Sequence, residues 1–304
     1  MNYAVVTDKL TKIYSKHRAV DEVNMHIPQG SIYGFVGENG SGKTTIIRLL
    51  MGLASPSKGR YSLFDVDYKS NEIYKIRHNI SAIVETPSLV PTMTAEENLK
   101  YACLYYGVKD KTIIKDALHK VGLEGTGKKK VKDFSLGMRQ RLGIAVLLLN
   151  KPTLILLDEP MNGLDPTGIA ELRDLIIDLN NQGITFLISS HILSELEKIA
   201  THYGFISHGH LIKEISTEDL YGECQKSVEI VYEDSAKVEA SLKKNKIDSY
   251  KIYPNGVIRV YNDVKPLDLL EFLHKDGIEI EQIRTTHTNI EEYYLDLIGG
   301  GQNA

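Results

Sequence analysis

Residues 37–44 read Gly-Glu-Asn-Gly-Ser-Gly-Lys-Thr, a G-x-x-x-x-G-K-[ST] spacing that follows a β-branched run and precedes a helical one. Gly37, Gly40 and Gly42 let the backbone N–H groups of the loop, Asn39 and Ser41 included, turn toward one point. A helix opening at Thr44 and Thr45 aims the positive end of its dipole at the same place. Such a cradle suits a triphosphate. Lys43 supplies a compact cation for the β and γ phosphates, and the Thr44 hydroxyl supplies a ligand for Mg²⁺. A second acidic site follows the aliphatic run Leu154-Ile155-Leu156-Leu157, where Asp158 and Glu159 emerge at the end of what reads as a central strand. Asp158 is placed to hold Mg²⁺, through water, and Glu159 to orient or deprotonate an attacking water. Guanine recognition of the Asn-Lys-x-Asp kind is not expected downstream, so adenine is the expected base.

Positioning these groups requires an α/β domain with a mostly parallel sheet, and the chain from residue 2 to about 221 alternates β-branched runs with helical patterns accordingly. Strands are expected at 31–36, 154–157, 184–189, 203–207 and 211–215, and helices at 44–51, 136–149, 166–180 and 192–200. Helices at 94–106 and 110–121, closed by Gly107 and Gly122 with no strand between them, predict a helical insertion over about 86–152. Beyond Tyr221-Gly222 the order strand 227–232, helix 235–244, strands 249–253 and 257–261, helix 266–275, strand 278–284 matches a ferredoxin-like β-α-β-β-α-β domain. Asn255-Gly256 suits a tight hairpin, and Thr288 with Glu291 suits a capping box on a last helix. The expected domains are therefore 1–222 and 223–304, with a disordered tail from Gly299.

Across 304 residues, 36 Lys and Arg against 40 Asp and Glu leave a net charge of −4, which argues against wrapping nucleic acid by positive charge. The apolar stretch 144–149 falls far short of the ~18 residues of a membrane span. The N-terminus carries Asp8 and lacks the basic start and apolar core of a secretion signal, so a cytoplasmic location is expected. Cys103 and Cys224 have no metal-ligand spacing and read as packing residues. Lys128, Lys129, Lys130 and Lys132 read as a solvated loop rather than a phosphate or lipid patch.

Three further segments, Phe134-Ser135-Leu136-Gly137-Met138-Arg139-Gln140-Arg141, Asn162-Gly163-Leu164-Asp165 and Ser189-Ser190-His191, complete an ordered set. With them the chain resembles ABC transporter ATP-binding subunits over about residues 2–222. The resemblance implies a P-loop NTPase domain with an inserted helical subdomain, ATP and Mg²⁺ as ligands, and a homodimer that sandwiches ATP. By the same resemblance Ser135 and Gly137 cap the γ-phosphate held by the other subunit, although Leu136 and Met138 depart from the commoner Ser-Gly-Gly form. Asp165 crosses the dimer interface, His191 contacts the γ-phosphate, and Tyr14 stacks on adenine. Glu85 stands where most of the family has a glutamine that touches Mg²⁺ and communicates with the membrane subunit. That substitution, the Ser-Leu-Gly-Met signature and the C-terminal extension resemble the bacitracin-resistance and lantibiotic-immunity exporters. Integral membrane permease subunits are the implied partners, with the chain peripheral on the cytoplasmic side of the membrane and no nucleic acid bound. The other readings are a soluble ABC ATPase of translation or DNA maintenance and the ATPase of an importer. The first usually needs two cassettes or long coiled coils, and the 158 − 43 = 115 residues between Lys43 and Asp158 leave room only for a compact insertion.

Overall fold

The computed structural model of the chain describes residues 2–223, 226–232, 234–253, 256–261, 265–280, 282–287 and 290–299. The chain divides into two compact units, Met1–Thr217 and Glu218–Ala304, so the division falls ahead of the 222/223 boundary expected from composition.

The first unit opens with three antiparallel strands, β1 (Tyr3–Tyr14), β2 (His17–Val23) and β3 (His26–Pro28), before the wholly buried β4 (Ile32–Val36) enters the phosphate loop and α1 (Lys43–Leu50) leaves it. β5 (Lys58–Leu63) returns to β1, β6 (Val66–Asp67) pairs with β5, and α2 (Ile73–His78) leads to β7 (Ile80–Ile83). The helical insertion is α3 (Ala95–Tyr106), α4 (Thr112–Lys120) and α5 (Leu136–Leu148). Thr94 starts α3 with a full capping box: its hydroxyl accepts from the Glu97 amide at 3.2 Å, and its own amide donates to Glu97 Oε2 at 2.7 Å. Within α5, Gly143 is required by packing, because a Cβ there would lie 2.6 Å from Pro87 in the segment that leaves β7.

The chain then runs through β8 (Leu154–Asp158), α6 (Pro166–Asn181), β9 (Thr185–Ser190), α7 (Leu193–Leu196), β10 (His202–Ser207) and β11 (His210–Ser216). A six-stranded sheet has the order β11-β10-β4-β9-β8-β7 and is parallel except for the β10–β11 hairpin. A second sheet, β2-β1-β5-β6 with β3 on β1, is antiparallel and was not foreseen from the sequence. Val5, Met25, Phe35, Ile46, Leu49 and Leu156 belong to one buried cluster that draws on both sheets and α1. Burying each such side chain stabilises by about 2 kcal/mol. The consequence for function is that α1 and the loop before it are fixed from two sides. The helix expected over 192–200 is only one turn, because Ile199 already donates to Leu196 in a three-residue step.

The second unit continues from α8 (Thr217–Glu223) with β12 (Lys226–Val231), α9 (Ser235–Lys244), β13 (Tyr250–Ile252), β14 (Val257–Val260), α10 (Pro266–Lys275), β15 (Gln282–His287) and α11 (Ile290–Gly299). Its antiparallel sheet has the order β13-β14-β12-β15, the arrangement that a β-α-β-β-α-β chain gives when its first and third strands sit at the centre. Val228, Ile230, Leu242, Ile258, Leu269 and Leu273 form its own core. The last strand begins later than the expected 278, because Ile278 closes α10: its amide bonds to the Leu273 carbonyl at 2.9 Å after Gly277 turns left-handed. Thr288, Asn255, Cys224 and residues 300–304 lie outside the described residues, while Cys103 is a buried free thiol.

Candidate functional site

The loop from Gly37 to Gly42 keeps its shape because a side chain is excluded at its ends. A Cβ on Gly37 would fall 2.4 Å from the Ile206 carbonyl oxygen, and one on Gly42, at φ 113°, 2.4 Å from that of Ala19. The neighbouring hairpin buttresses the same loop, the Gly209 amide donating to the Ser41 carbonyl at 3.0 Å. Lys43 is buried and curls back over the loop, donating to the carbonyls of Gly37 at 2.6 Å and Glu38 at 3.1 Å. Asn39 and Gly40 are exposed at the loop's crest, and Thr45 is half-buried in the first turn of α1. Ser41 is buried, yet its hydroxyl has no hydrogen-bond partner among the described residues, an unsatisfied group of the kind that a ligand oxygen would complete.

The acidic pair faces this loop because β9 lies between β4 and β8, with Val36 opposite Ser190 and Asp158 opposite Ser189. Thr44 Oγ1 donates to Asp158 Oδ2 at 2.7 Å, joining the end of β8 to the start of α1. Glu159 has a left-handed backbone, φ 49°, which turns its carboxylate back along the strand ends. There Oε1 lies 3.3 Å from the Lys43 ammonium and Oε2 lies 2.8 Å from His191 Nδ1. Four residues predicted from three separate segments, Lys43, Asp158 with Glu159, and His191, are thus brought to one region of the sheet edge. A cation, a carboxylate and an imidazole at hydrogen-bond range, with a second carboxylate tied to Thr44 beside them, can neutralise phosphate and position a water beside it.

Ser135, Asp165, Tyr14 and Glu85 make no hydrogen bond or ion pair with Lys43, Asp158, Glu159 or His191 among the described residues. Ser135 is the exposed N-cap of α5, its hydroxyl accepting from the Met138 amide at 3.1 Å, and Asp165 is the exposed N-cap of α6, accepting from the Gly168 amide at 3.1 Å. The two helix starts adjoin, since a Cβ on Gly137 would lie 3.5 Å from Gly168 Cα. Tyr14 ends β1 with 44% of its surface exposed, which leaves the ring available, and the Lys12 ammonium lies 4.9 Å from the ring centroid. Glu85, also left-handed at φ 66°, lines a cavity of about 650 Å³ together with Thr44, Asp158, Glu159 and Gln140, but its carboxylate pairs with Arg48 at 3.1 Å. An Asn-Lys-x-Asp tetrad does occur, contrary to expectation, at Asn245 to Asp248. It ends α9 in the second unit, where the Asn245 amide bonds back to the Ser241 carbonyl at 2.8 Å and Ile247 is buried in the core, so it is spent on closing a helix. Sequence reasoning missed Ser189, which touches both acidic residues; two serines before the histidine were the available signal.

A family model described as ABC transporter matches residues 20–162. The bacitracin transport ATP-binding protein BcrA of Bacillus licheniformis is 41% identical over 304 residues, covering 99% of each chain. The lantibiotic transport ATP-binding protein SrtF of Streptococcus pyogenes is 45% identical over 205 residues, 67% of this chain and 87% of its own. Among solved structures, CbiO1 of Clostridium perfringens, part of the ABC transporter complex CbiONQ, aligns over 81% of this chain and 98% of its own with a TM-score of 0.67 and 25% identity.

Proposed function

The chain belongs to the family of ABC transporter ATP-binding proteins, and from that premise we propose that it powers export of an antimicrobial peptide of the bacitracin or lantibiotic class through separate membrane subunits. It binds and hydrolyses ATP. The observation that carries the reading is the convergence of Lys43, Asp158, Glu159 and His191 on the phosphate loop, in a chain similar to a bacitracin transport protein from end to end.

When the triphosphate enters, Lys43 exchanges the Gly37 and Glu38 carbonyls for phosphate oxygens, and the loop amides and the dipole of α1 hold the remaining charge. Release of Lys43 frees Glu159 Oε1 to accept from a water, and His191 holds the other oxygen so that the carboxylate stays aimed. The Thr44 hydroxyl and the Asp158 carboxylate are hard oxygen donors side by side, too few to cage a cation alone, which suits Mg²⁺ completed by phosphate and water. Mg²⁺ held there would supply charge neutralisation at the phosphates, and Glu85, which lines the same cavity, would be a further oxygen donor for it were its pairing with Arg48 given up. Tyr14 offers its ring to adenine. Ser135, Gly137 and Asp165 serve the nucleotide of a second copy, in keeping with the exposure of both caps, Ser135 and Asp165. No helix among the described residues is long and apolar enough to cross a membrane, so the chain is read as peripheral, on the cytoplasmic side, held by its permease partners. All these residues lie in the first unit, and the second is read as an accessory domain.

The test is Glu159→Gln. The variant is expected to keep ATP affinity, lose at least about 100-fold in kcat, and leave cells that carry the transporter sensitive to the peptide. Steady-state hydrolysis at the wild-type rate would remove Glu159 from its role.

A further inference from the structure

Asp158 is only 2% exposed, so its carboxylate must find donors inside the protein. Thr44 serves Oδ2. The other oxygen, Oδ1, accepts from the Ser189 hydroxyl at 2.6 Å, across the β8–β9 register that sets these two residues opposite each other. A hydroxyl has one proton and a carboxylate has none, so that proton points at Asp158 and a lone pair of the same oxygen faces the Glu159 amide, which donates to it at 2.9 Å. Ser189 is itself fully buried, and its one donor and an acceptor lone pair are committed to the acidic pair.

We propose that Ser189 is a positioning residue for ATP hydrolysis, its single hydroxyl setting the rotation of the Asp158 carboxylate and holding the amide of Glu159. The inference rests on the roles given above to Asp158 and Glu159. A carboxylate's terminal torsion is broad, and with Oδ1 pinned, Oδ2 is turned toward Thr44 and the phosphate loop. The Glu159 amide has a second acceptor in the Ser189 carbonyl at 3.2 Å, so loss of the hydroxyl leaves Glu159 partly held and falls mainly on Asp158. The first consequence is therefore in how well divalent cation assists nucleotide binding, and the second is in turnover.

The experiment measures affinity for a fluorescent ATP analogue with Mg²⁺ and with EDTA, together with kcat, in wild type, Ser189→Ala, Ser189→Thr and Asp158→Asn. Ser189→Ala is expected to keep its EDTA affinity within about 2-fold, lose about 10-fold or more of the enhancement given by Mg²⁺, and lose about 10- to 100-fold in kcat, as for other groups that orient a metal ligand. Ser189→Thr, which keeps the hydroxyl, is expected to restore both. Thermal melting checks that each variant is folded, and Ser189→Cys, close in size but a weak donor, replaces Ala should that variant fail to fold. Wild-type Mg²⁺ enhancement in folded Ser189→Ala, with Asp158→Asn impaired, overturns the role of Ser189 alone. Wild-type enhancement in Asp158→Asn overturns the reading of Asp158 and this proposal with it.

Discussion

At the scale of single residues, the loop between Gly37 and Gly42 separates two reasons for glycine. Gly40 has φ 83° and open space around its missing Cβ, whereas Gly42 has φ 113° and a carbonyl oxygen 2.4 Å from where a Cβ would sit. Alanine at either site costs about 1–2 kcal/mol for the left-handed backbone. At Gly42 the overlap with Ala19 adds on the order of 1–3 kcal/mol more, because the obstructing atom is backbone on the packed strand β2 and cannot swing aside. Nucleotide-free urea unfolding should therefore rank Gly42→Ala well below Gly40→Ala in stability, and equal losses would mean that β2 yields. Most of these residues were legible in the sequence because phosphate chemistry demands fixed types at fixed spacing. Ser189 was not, since a serine at a strand end has many bland uses and its value comes only from the strand paired beside it. The Arg48 partner of Glu85 was equally hidden, being set by how α1 packs and not by spacing along the chain.

At the scale of elements, helix starts do much of the arranging. α5 and α6 both begin with a side-chain cap, Ser135 and Asp165, and both caps are exposed and adjacent to one another. At α6 the Asp165 carboxylate itself meets the N-terminal dipole, whereas the cap of α5 is an uncharged serine, so the start of α5 favours a further anion. If a second copy supplies it, Ser135→Arg and Lys43→Ala chains, each inactive alone, rebuild one intact composite site when mixed. Hydrolysis by mixtures should then exceed that of either parent, and no gain at any ratio, with mixed dimers demonstrated, would refute the arrangement. The helices were readable from caps and stop signals, such as Thr94 with Glu97 and Gly107. The antiparallel sheet was not, because β1 slips register between Leu10 and Lys12 and again before Ile13, which breaks the two-residue alternation that marks a strand. Ile278 misled for a related reason, an apolar residue after glycine serving the end of α10 instead of the start of β15.

For the molecule as a whole, two units with separate cores imply two responses to acid. The first unit holds strands β4 and β8 that are buried at every residue. The second is small, and small domains have little burial to spare. It also keeps a carboxylate, Glu229, 3% exposed on its central strand β12, facing Arg259 at 3.0 Å and Arg284 at 2.9 Å, while Arg259 in turn pairs with Glu292 of α11. Burial alone would push Glu229 up, but the hydrogen bonds from Arg259 and Arg284 outweigh it and hold the group below the usual carboxylate range. A lowered folded value means that the unfolded chain binds the proton first. The stability that Glu229 contributes is then fully present above about pH 4.3, the ordinary glutamate value, and is lost as the pH falls through the lower folded one. Hydrogen exchange followed from pH 7 down to about pH 3 should show β12 and β14 losing protection before β4 and β8. Glu229→Gln removes the titrating group, so it should start less stable at neutral pH, with two arginines short of a charge, yet show a shallower acid slope in the second unit. Loss of protection in both units together, or an unchanged slope in Glu229→Gln, would show that this buried carboxylate with its two arginines does not set the acid limit of the second unit.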